Sequence, residues 1–167
     1  MMANLQIFFE MAELPISRFN DWVKTHSPAA LADHICFKCA DHEEFERVRA
    51  LFEHESEFIY QSIISGRPIA VIKFKASIES ALGPIWYLEL SDQKPDGSQK
   101  SGFDHIEIFP VDGSMESLAD SLKNTGVHFE KVIRPHHTTF DTTIFDNFKV
   151  RLEPEPLIEK IKRDEML

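Results

Sequence analysis

Two short stretches of the sequence repeat the same residues, Asp-His-Ile, at 33–35 and again at 104–106. Each precedes a short apolar run typical of a β-strand, and each is followed by a helical pattern at nearly the same distance. A lone strand histidine is usually an ordinary core or surface residue. Two histidines at equivalent positions of a repeat lie close together if the repeats pack with approximate two-fold symmetry. His34 and His105 are therefore candidate metal ligands.

The last predicted strand of each repeat carries a glutamate among apolar residues, Glu89 within IWYLEL and Glu153 at the end of FKVRLE. Successive side chains of a strand point to opposite faces, so the apolar residues can pack on helices while the polar ones share the other face. Two imidazoles and two carboxylates suit a borderline divalent ion such as zinc, nickel, cobalt, manganese or iron(II). We predict that one such ion is held by His34, Glu89, His105 and Glu153.

Other polar residues adjoin this face of the predicted strands. Glu107 and Arg151 have the same alternation as the neighbouring candidate ligands, and Tyr87 shares the face of Glu89. Arg67 follows a Ser-Gly turn signal, and its planar guanidinium suits a carboxylate or a phosphate. A surface or salt-bridged role is the alternative for each. We predict substrate contacts from four residues: Arg67, Tyr87, Glu107 and Arg151.

The remaining histidines give weaker signals. His136 and His137 are adjacent, so at most one of them can enter a cleft from a strand; their roles and that of Asp141 stay open. His105-x-Glu107 followed by either of them imitates the iron-binding triad of double-stranded β-helix folds. Those folds are nearly all-β, whereas helical patterns follow both Asp-His-Ile stretches here. Four more histidines lie in predicted helices or loops and are expected to be exposed: His26, His42, His54 and His128.

The cysteines form a C-x-x-C at Cys36 and Cys39. Strand residues three apart project to opposite faces, so the two sulfurs cannot bind one metal ion there. A redox-active C-x-x-C is expected at the start of a helix, not inside a strand. We interpret this motif as incidental and expect both thiols to stay reduced.

The elements that position these residues follow one order twice. Residues 5–11 and 16–24 predict two helices separated at Pro15. A strand–helix–strand–strand–strand order then begins, and it begins again after a polar linker at 92–102. The predicted strands are 35–39, 58–64, 69–74 and 85–90 in the first repeat and 106–109, 127–133, 139–145 and 148–152 in the second. The helices of the repeats run through 45–52 and from Ser114 to Gly126.

The length of 167 residues suits one domain. Within residues 1–167 we predict a helical extension (1–30), a first module (31–92), a second module (103–154) and a C-terminal helix (155–167). The net charge of −10 argues against nucleic acid and anionic membranes as partners. The first thirty residues do not predict a secretory signal, and two cysteines fit a reducing compartment, so we expect a cytoplasmic protein. The oligomeric state stays open.

Several stretches in this order resemble the vicinal oxygen chelate superfamily of glyoxalase I, extradiol dioxygenases and bleomycin resistance proteins, and more narrowly the YecM-like family. They are ADHICFKC, SGRPI, IWYLEL, GFDHIEIFP and KVRLEP. The resemblance implies an α+β fold in which two βαβββ modules form a curved mixed sheet around a metal cleft. It also implies ligands from the first and last strand of each module. The YecM-like pattern has histidine at the last position, so Glu153 departs from it and leaves the metal's identity open.

The resemblance implies chemistry on a small oxygen-chelating metabolite. A divalent ion polarises a carbonyl and lowers the pKa of water from about 15.7 towards about 7. Glu153 or Glu89 is a candidate base, which indicates an isomerase or a lyase. The alternative is a non-haem iron dioxygenase, mildly disfavoured because Glu89 fills a fourth ligand position. A second alternative is a non-catalytic small-molecule binding protein of the same fold.

Overall fold

A computed structural model describes residues 4–64, 67–94, 96–133 and 137–165. These residues form eight strands and four helices. In chain order the elements are α1 (Leu5–His26), β1 (Ala30–Lys38), α2 (His42–Leu51), β2 (Ser56–Ile64), β3 (Arg67–Ile78), β4 (Ile85–Ser91), β5 (Gly102–Pro110), α3 (Met115–Lys123), β6 (Glu130–Ile133), β7 (Thr138–Phe145), β8 (Phe148–Leu152) and α4 (Leu157–Glu165).

The eight strands form one mixed sheet in the order β2-β3-β4-β1-β5-β8-β7-β6. Each half of the chain contributes four neighbouring strands, and the order within the second block mirrors the order within the first. In each half the first strand pairs in parallel with the last, β1 with β4 and β5 with β8. The two halves meet where β1 and β5 pair in antiparallel fashion. The predicted α+β fold class is confirmed.

One helix in each half follows the first strand of that half, and a polar cap starts it. The Asp41 carboxylate accepts a hydrogen bond from the backbone N–H of Glu44 at 2.7 Å, before α2. The Ser114 hydroxyl accepts one from the N–H of Ser117 at 3.0 Å, before α3. Such caps satisfy N–H groups that have no partner inside the helix. Both helices bury apolar residues in the core, and this leaves the opposite face of the sheet for polar side chains.

An aromatic cluster joins α1 to both halves of the sheet. The Phe8 ring centroid lies 5.9 Å from that of Phe37 in β1 and 5.1 Å from that of Phe103 in β5. Phe8 is fully buried, and burying such a side chain contributes about 1.5–3 kcal/mol relative to leaving it exposed. The helical extension is therefore part of the main core.

The prediction of two N-terminal helices is wrong, because α1 continues through Pro15. Proline lacks the N–H and crowds the preceding turn of a helix. Here Pro15 lies on the buried stripe of α1, between Ala12 and Phe19, and this packing keeps the helix whole. Among the described residues, no helix combines the length and the apolarity needed to span a bilayer.

The strand bounds also differ from the predicted ones. β1 and β5 begin several residues earlier than predicted, at Ala30 and Gly102. β6 begins later, at Glu130 rather than at 127. The backbone N–H of Val127 still donates to the carbonyl of Leu122, so this residue completes the turn that ends α3.

Candidate metal centre

Irregular strand pairing brings both members of each Asp-His pair to one face of the sheet. Along β1 and β5, Ala32 pairs with Ile108 and the next pair is His34 with Glu107, so Asp33 is an extra residue that is not paired with a residue of β5. Two residues on one strand then oppose one on the other, as in a β-bulge, which redirects side chains. The carboxylate Oδ2 of Asp33 consequently lies 2.7 Å from Nδ1 of His34.

The second Asp-His pair has the same irregularity on the facing strand. Cys36 pairs with His105 and the next pair is Phe37 with Phe103, so Asp104 is the extra residue. Its Oδ2 also lies 2.7 Å from Nδ1 of the following histidine. The repeated motif therefore encodes a repeated carboxylate–imidazole contact.

These contacts set the orientation of both imidazoles. Burial opposes ionisation of Asp33 and Asp104, but the hydrogen bond and charge of the adjacent histidine hold the pKa of each carboxyl below its usual value. An ionised carboxylate only accepts, so each Nδ1 carries a hydrogen and each Nε2 is left for another partner. Metal-binding histidines are typically held in this way. The sequence shows both aspartates next to the histidines, but it did not predict that they orient the imidazoles.

Three of the predicted ligands converge. One ligand atom each from His34, Glu89 and His105 lies within 4.8 Å of the other two. Nε2 of His34 is 3.6 Å from Oε2 of Glu89, and the two imidazole centroids are 6.1 Å apart. His34 is fully buried, and its Nε2 has no aligned hydrogen-bond partner. A buried nitrogen that has no aligned hydrogen bond, and that lies close to a second imidazole and to carboxylates, fits a divalent ion.

Glu107 lies between the two histidines. Its Oε2 is 2.7 Å from Nε2 of His34, and its Oε1 is 3.9 Å from Nε2 of His105. Burial favours the neutral acid, but the charge of His34 holds the pKa of Glu107 well below its usual value. Burial likewise opposes protonation of His34, while Glu107 and Asp33 raise its pKa well above the usual value. Glu107, predicted as a substrate contact, is thus a carboxylate within 4 Å of Nε2 of both imidazoles.

Glu153 belongs to a second group. It lies with Asp33 and His34 in a set whose ligand atoms are within 4.8 Å of one another, and Glu89 is not in that set. Its Oε1 is buried without a hydrogen-bond partner. Burial and the charges of Glu107 and Asp33 raise the pKa of its carboxyl well above the usual value. Three of the four predicted ligands therefore form one group, and Glu153 joins His34 and Asp33 in a second group.

The strand register explains why Glu153 lies apart. In the first half, Tyr87 pairs with the histidine of β1, and Glu89 is two residues further along β4. In the second half, Lys149 pairs with the histidine of β5, so the residue equivalent to Glu89 is Arg151. Glu153 lies two residues beyond that position. The prediction matched Glu89 with Glu153 as the last acidic residue of each repeat, and it therefore missed this offset of two residues.

Arg151 is held beside the histidines by Asp141. Its Nε and Nη2 donate to the two carboxylate oxygens of Asp141 at 2.9 and 3.1 Å. Its Nη1 lies 3.3 Å from Nε2 of His105 and 3.9 Å from Oε1 of Glu107. Burial opposes the charge, but the Asp141 hydrogen bond and nearby carboxylates raise the pKa of Arg151. Burial and this guanidinium lower the pKa of His105.

Cys36 takes part in the same face of the sheet. Its thiol donates to Oε1 of Glu89 at 3.4 Å, and burial raises its pKa well above the usual value. Cys39 lies in the hydrophobic core instead, and both thiols are free. The two cysteines leave opposite faces, as predicted. The interpretation of the C-x-x-C motif as incidental stays a prediction, although the Cys36 thiol contacts a candidate ligand.

The other predicted site residues have different surroundings. Nη1 of Arg67 donates to the carbonyl of Asp92 at 3.1 Å and to Oε1 of Gln99 at 2.5 Å, so it holds the linker after β4. Tyr87 is half-buried next to His34 and packs against a phenylalanine of β2. The substrate roles of Arg67 and Tyr87 stay predictions.

The histidines outside the site are mostly exposed, as predicted. His26 is half-buried instead, because its Nδ1 lies 2.8 Å from the Thr125 hydroxyl and its ring packs against Trp22. His137 is exposed. His136 lies outside the described residues, as does the Ser-Gly turn at 65–66.

Comparisons with known proteins agree with this architecture. A family model described as YecM protein matches residues 1–160. Protein YecM of Escherichia coli K12 is 32% identical over 87 residues, which cover 52% of this chain and 46% of that protein. The match therefore spans less than half of that relative's length. Among solved structures, a structural-genomics protein, EC4020, is 25% identical with a TM-score of 0.70 over 99% of this chain and 98% of its own.

A more distant structure is the methylmalonyl-CoA epimerase of Streptomyces coelicolor bound to 2-nitronate-propionyl-CoA. It is 19% identical, with a TM-score of 0.44 over 75% of this chain and 98% of its own. That degree of similarity is too low to transfer an activity.

Proposed function

The chain belongs to the YecM family, and from that premise we propose that it is a divalent-metal-dependent enzyme acting on a small metabolite that chelates the ion through two oxygens. His34, Glu89 and His105 hold the ion. One observation carries the proposal: both imidazoles are fixed through Nδ1 by an adjacent aspartate and meet a carboxylate within 4.8 Å. The resemblance of the sequence to the vicinal oxygen chelate superfamily supports it.

The residues around the three ligands divide the remaining work. The ion, when bound, polarises a carbonyl or lowers the pKa of water. Asp33 and Asp104 keep the imidazoles in one tautomer and orientation. Glu153 is a candidate proton carrier because its buried Oε1 has no hydrogen-bond partner and lies beside the His34 group. This arrangement favours proton transfer next to a carbonyl, as in an isomerase or a lyase.

A second candidate is a non-haem iron dioxygenase. Two histidines and one carboxylate with further positions open are the donor set of many non-haem iron oxygenases. The three-residue group favours this reading, because the position equivalent to Glu89 in the second half carries Arg151 rather than a fourth ligand. A non-catalytic binding protein is the third candidate.

Elemental analysis of freshly purified protein tests the metal site. We expect about one divalent ion per chain in the wild type, and loss of that ion in His34→Ala and His105→Ala with the fold retained by circular dichroism. His128→Ala is the matched control, because this exposed histidine lies outside the site. Equal metal binding by the wild type and the His34→Ala/His105→Ala double variant contradicts the proposal.

Two assays on the metal-loaded protein separate the reaction classes. Metal-dependent exchange of the α-proton of hydroxy-carbonyl compounds in deuterated water supports an isomerase or a lyase. Oxygen consumption with catechols by the iron-loaded protein supports a dioxygenase. Tight ligand binding without either reaction supports the non-catalytic alternative.

A further inference from the structure

The two halves of the sheet place opposite charges at equivalent positions. Glu89 lies two residues beyond the partner of His34, and Arg151 lies two residues beyond the partner of His105. The second half therefore offers a cation where the first offers a metal ligand. From this placement we propose that Arg151 forms an anion subsite beside the metal centre, and that the substrate is a small 2-hydroxy or 2-oxo carboxylate. The inference rests on the proposed function and names its substrate class.

The guanidinium is fixed before any ligand arrives. Asp141 accepts from Nε and Nη2 in a two-pronged contact, and the Arg151 side chain is only 13% exposed. A pre-oriented donor loses little entropy when it binds a ligand. Nη1 is not used by Asp141 and is directed towards Nε2 of His105, 3.3 Å away. Nη1 carries two N–H groups, so one remains for a ligand bound next to His105.

The surrounding charges select the ligand. Carboxylates flank Arg151 on two sides, Asp141 and Glu107, and Asp104 lies on the far side of His105. A compact monoanion such as a carboxylate gains a charge-assisted hydrogen bond there, whereas a phosphate dianion also meets the repulsion of these acids. A neutral diol or hydroxyketone leaves the guanidinium without an anionic partner. An oxygen on the carbon next to the carboxylate completes the chelating pair.

Two small probes with the same oxygen spacing test the subsite. Glycolate carries the negative charge and hydroxyacetone does not. We expect zinc-loaded wild-type protein, titrated by NMR, to bind glycolate more tightly than hydroxyacetone, with about tenfold to a hundredfold of the difference due to one hydrogen bond from Arg151 to a charged group. The anionic oxygen of glycolate also binds zinc more strongly than a neutral carbonyl does, so Arg151→Gln should reduce this preference by about tenfold to a hundredfold at unchanged zinc stoichiometry. Arg49→Gln is the matched control, since it removes a paired arginine on α2.

A double variant guards against misfolding. Arg151→Gln alone leaves the buried Asp141 carboxylate without the guanidinium that it contacts, whereas Arg151→Gln/Asp141→Asn removes both charges. Equal affinities of the wild type for the two probes, a glycolate preference as large in the double variant as in the wild type, or tighter binding of inorganic phosphate than of glycolate each overturn the inference. If the wild type binds no metal, the proposed function fails separately. Glycolate binding to the metal-free wild type and its loss in the double variant then decide the subsite alone.

Discussion

The two halves of the sheet share a strand order but divide the chemistry between them. Each half contributes one histidine held by a preceding aspartate, and these contacts have the same length. Two residues beyond the partner of each histidine, however, the first half carries Glu89 and the second half Arg151. The repeated strands thus keep the two imidazoles, while the residues next to them differ. We assign Glu89 to the metal ion and Arg151 to the negative charge of the substrate.

The cross-strand partners of the two histidines, at the junction of β1 and β5, also differ. Glu107 of β5 pairs with His34, and Cys36 of β1 pairs with His105. His34 therefore lies 2.7 Å from a Glu107 oxygen, whereas His105 lies 3.9 Å from the same carboxylate and 3.3 Å from Nη1 of Arg151. Identical side chains on similar strands consequently have opposite electrostatic surroundings. Four substitutions or titrations probe this difference.

The largest expected effect comes from removing the buried guanidinium. Arg151→Met leaves the Asp141 carboxylate, which is about as buried, without the charge of the guanidinium, and we expect a loss of about 3–5 kcal/mol in the free energy of unfolding. Glu89→Gln, at the equivalent position, should cost less than about 1 kcal/mol because its side chain is partly solvated. Urea denaturation of the metal-free proteins measures both. Similar losses for the two variants contradict the comparison, and Arg151→Met/Asp141→Leu should recover most of the stability.

The aspartates that hold the imidazoles should matter next. We expect Asp33→Asn and Asp104→Asn each to lower the metal affinity by about 10–100-fold, because outer partners of ligating histidines have effects of this size. Asp33→Asn should also loosen α4, since Oδ2 of Asp33 accepts from the N–H of Leu157 at 2.9 Å. Competition with a chromophoric chelator measures the affinity. Asp112→Asn, in an exposed turn, is the control; unchanged affinity in both site variants contradicts the assigned role.

Titration of the metal-free protein tests the electrostatic difference between the histidines. Burial opposes protonation of both, but Glu107 and Asp33 raise the pKa of His34 above its usual value. Burial and Arg151 lower that of His105. As the pH rises, His105 should lose its proton first, below the usual histidine range near 6.5, and His34 last, above it. NMR of the imidazole nitrogens measures both pKa values. The reverse order contradicts the electrostatic difference between the surroundings of His34 and His105.

The smallest effect is expected from removing the thiol of Cys36. Cys36→Ala removes the S–H donor to Oε1 of Glu89, and a bond of this kind is worth about 0.5–1.5 kcal/mol at most. We expect the metal affinity to fall less than about tenfold. Cys39→Ala, in the core, should lower stability and leave metal affinity unchanged. Equal effects of the two variants on metal affinity would remove Cys36 from the site.

Much of the fold could be predicted from periodicity in the sequence. The alternation of side chains along each strand predicts that His34 and His105 lie on the face opposite the core. This prediction holds because each extra residue precedes its histidine, so the alternation between the histidine and the next core residue is regular. The repeated element order predicted the fold class. The continuous α1 could not be predicted, since a helix-breaking proline is tolerated there only through packing around Pro15.

The rest of the site depends on pairing between strands, which the sequence of one strand does not encode. The extra residues at Asp33 and Asp104 arise from the register of β1 against β5. The offset that separates Glu153 from the position of Arg151 arises from the register of β8 against β5. A mismatch of two residues keeps a side chain on the same face, so alternation alone could not reveal it.

Anomalous diffraction from crystals of the zinc-loaded protein tests the central claim most directly. The account predicts one strong peak about 2.0–2.3 Å from Nε2 of His34, Nε2 of His105 and a carboxylate oxygen of Glu89. It also predicts that Arg151 contacts no ion and that Glu153 lies outside the coordination sphere. A peak between Asp33 and Glu153, or full-strength binding after His105→Ala, would contradict the assignment of the metal to the three-residue group.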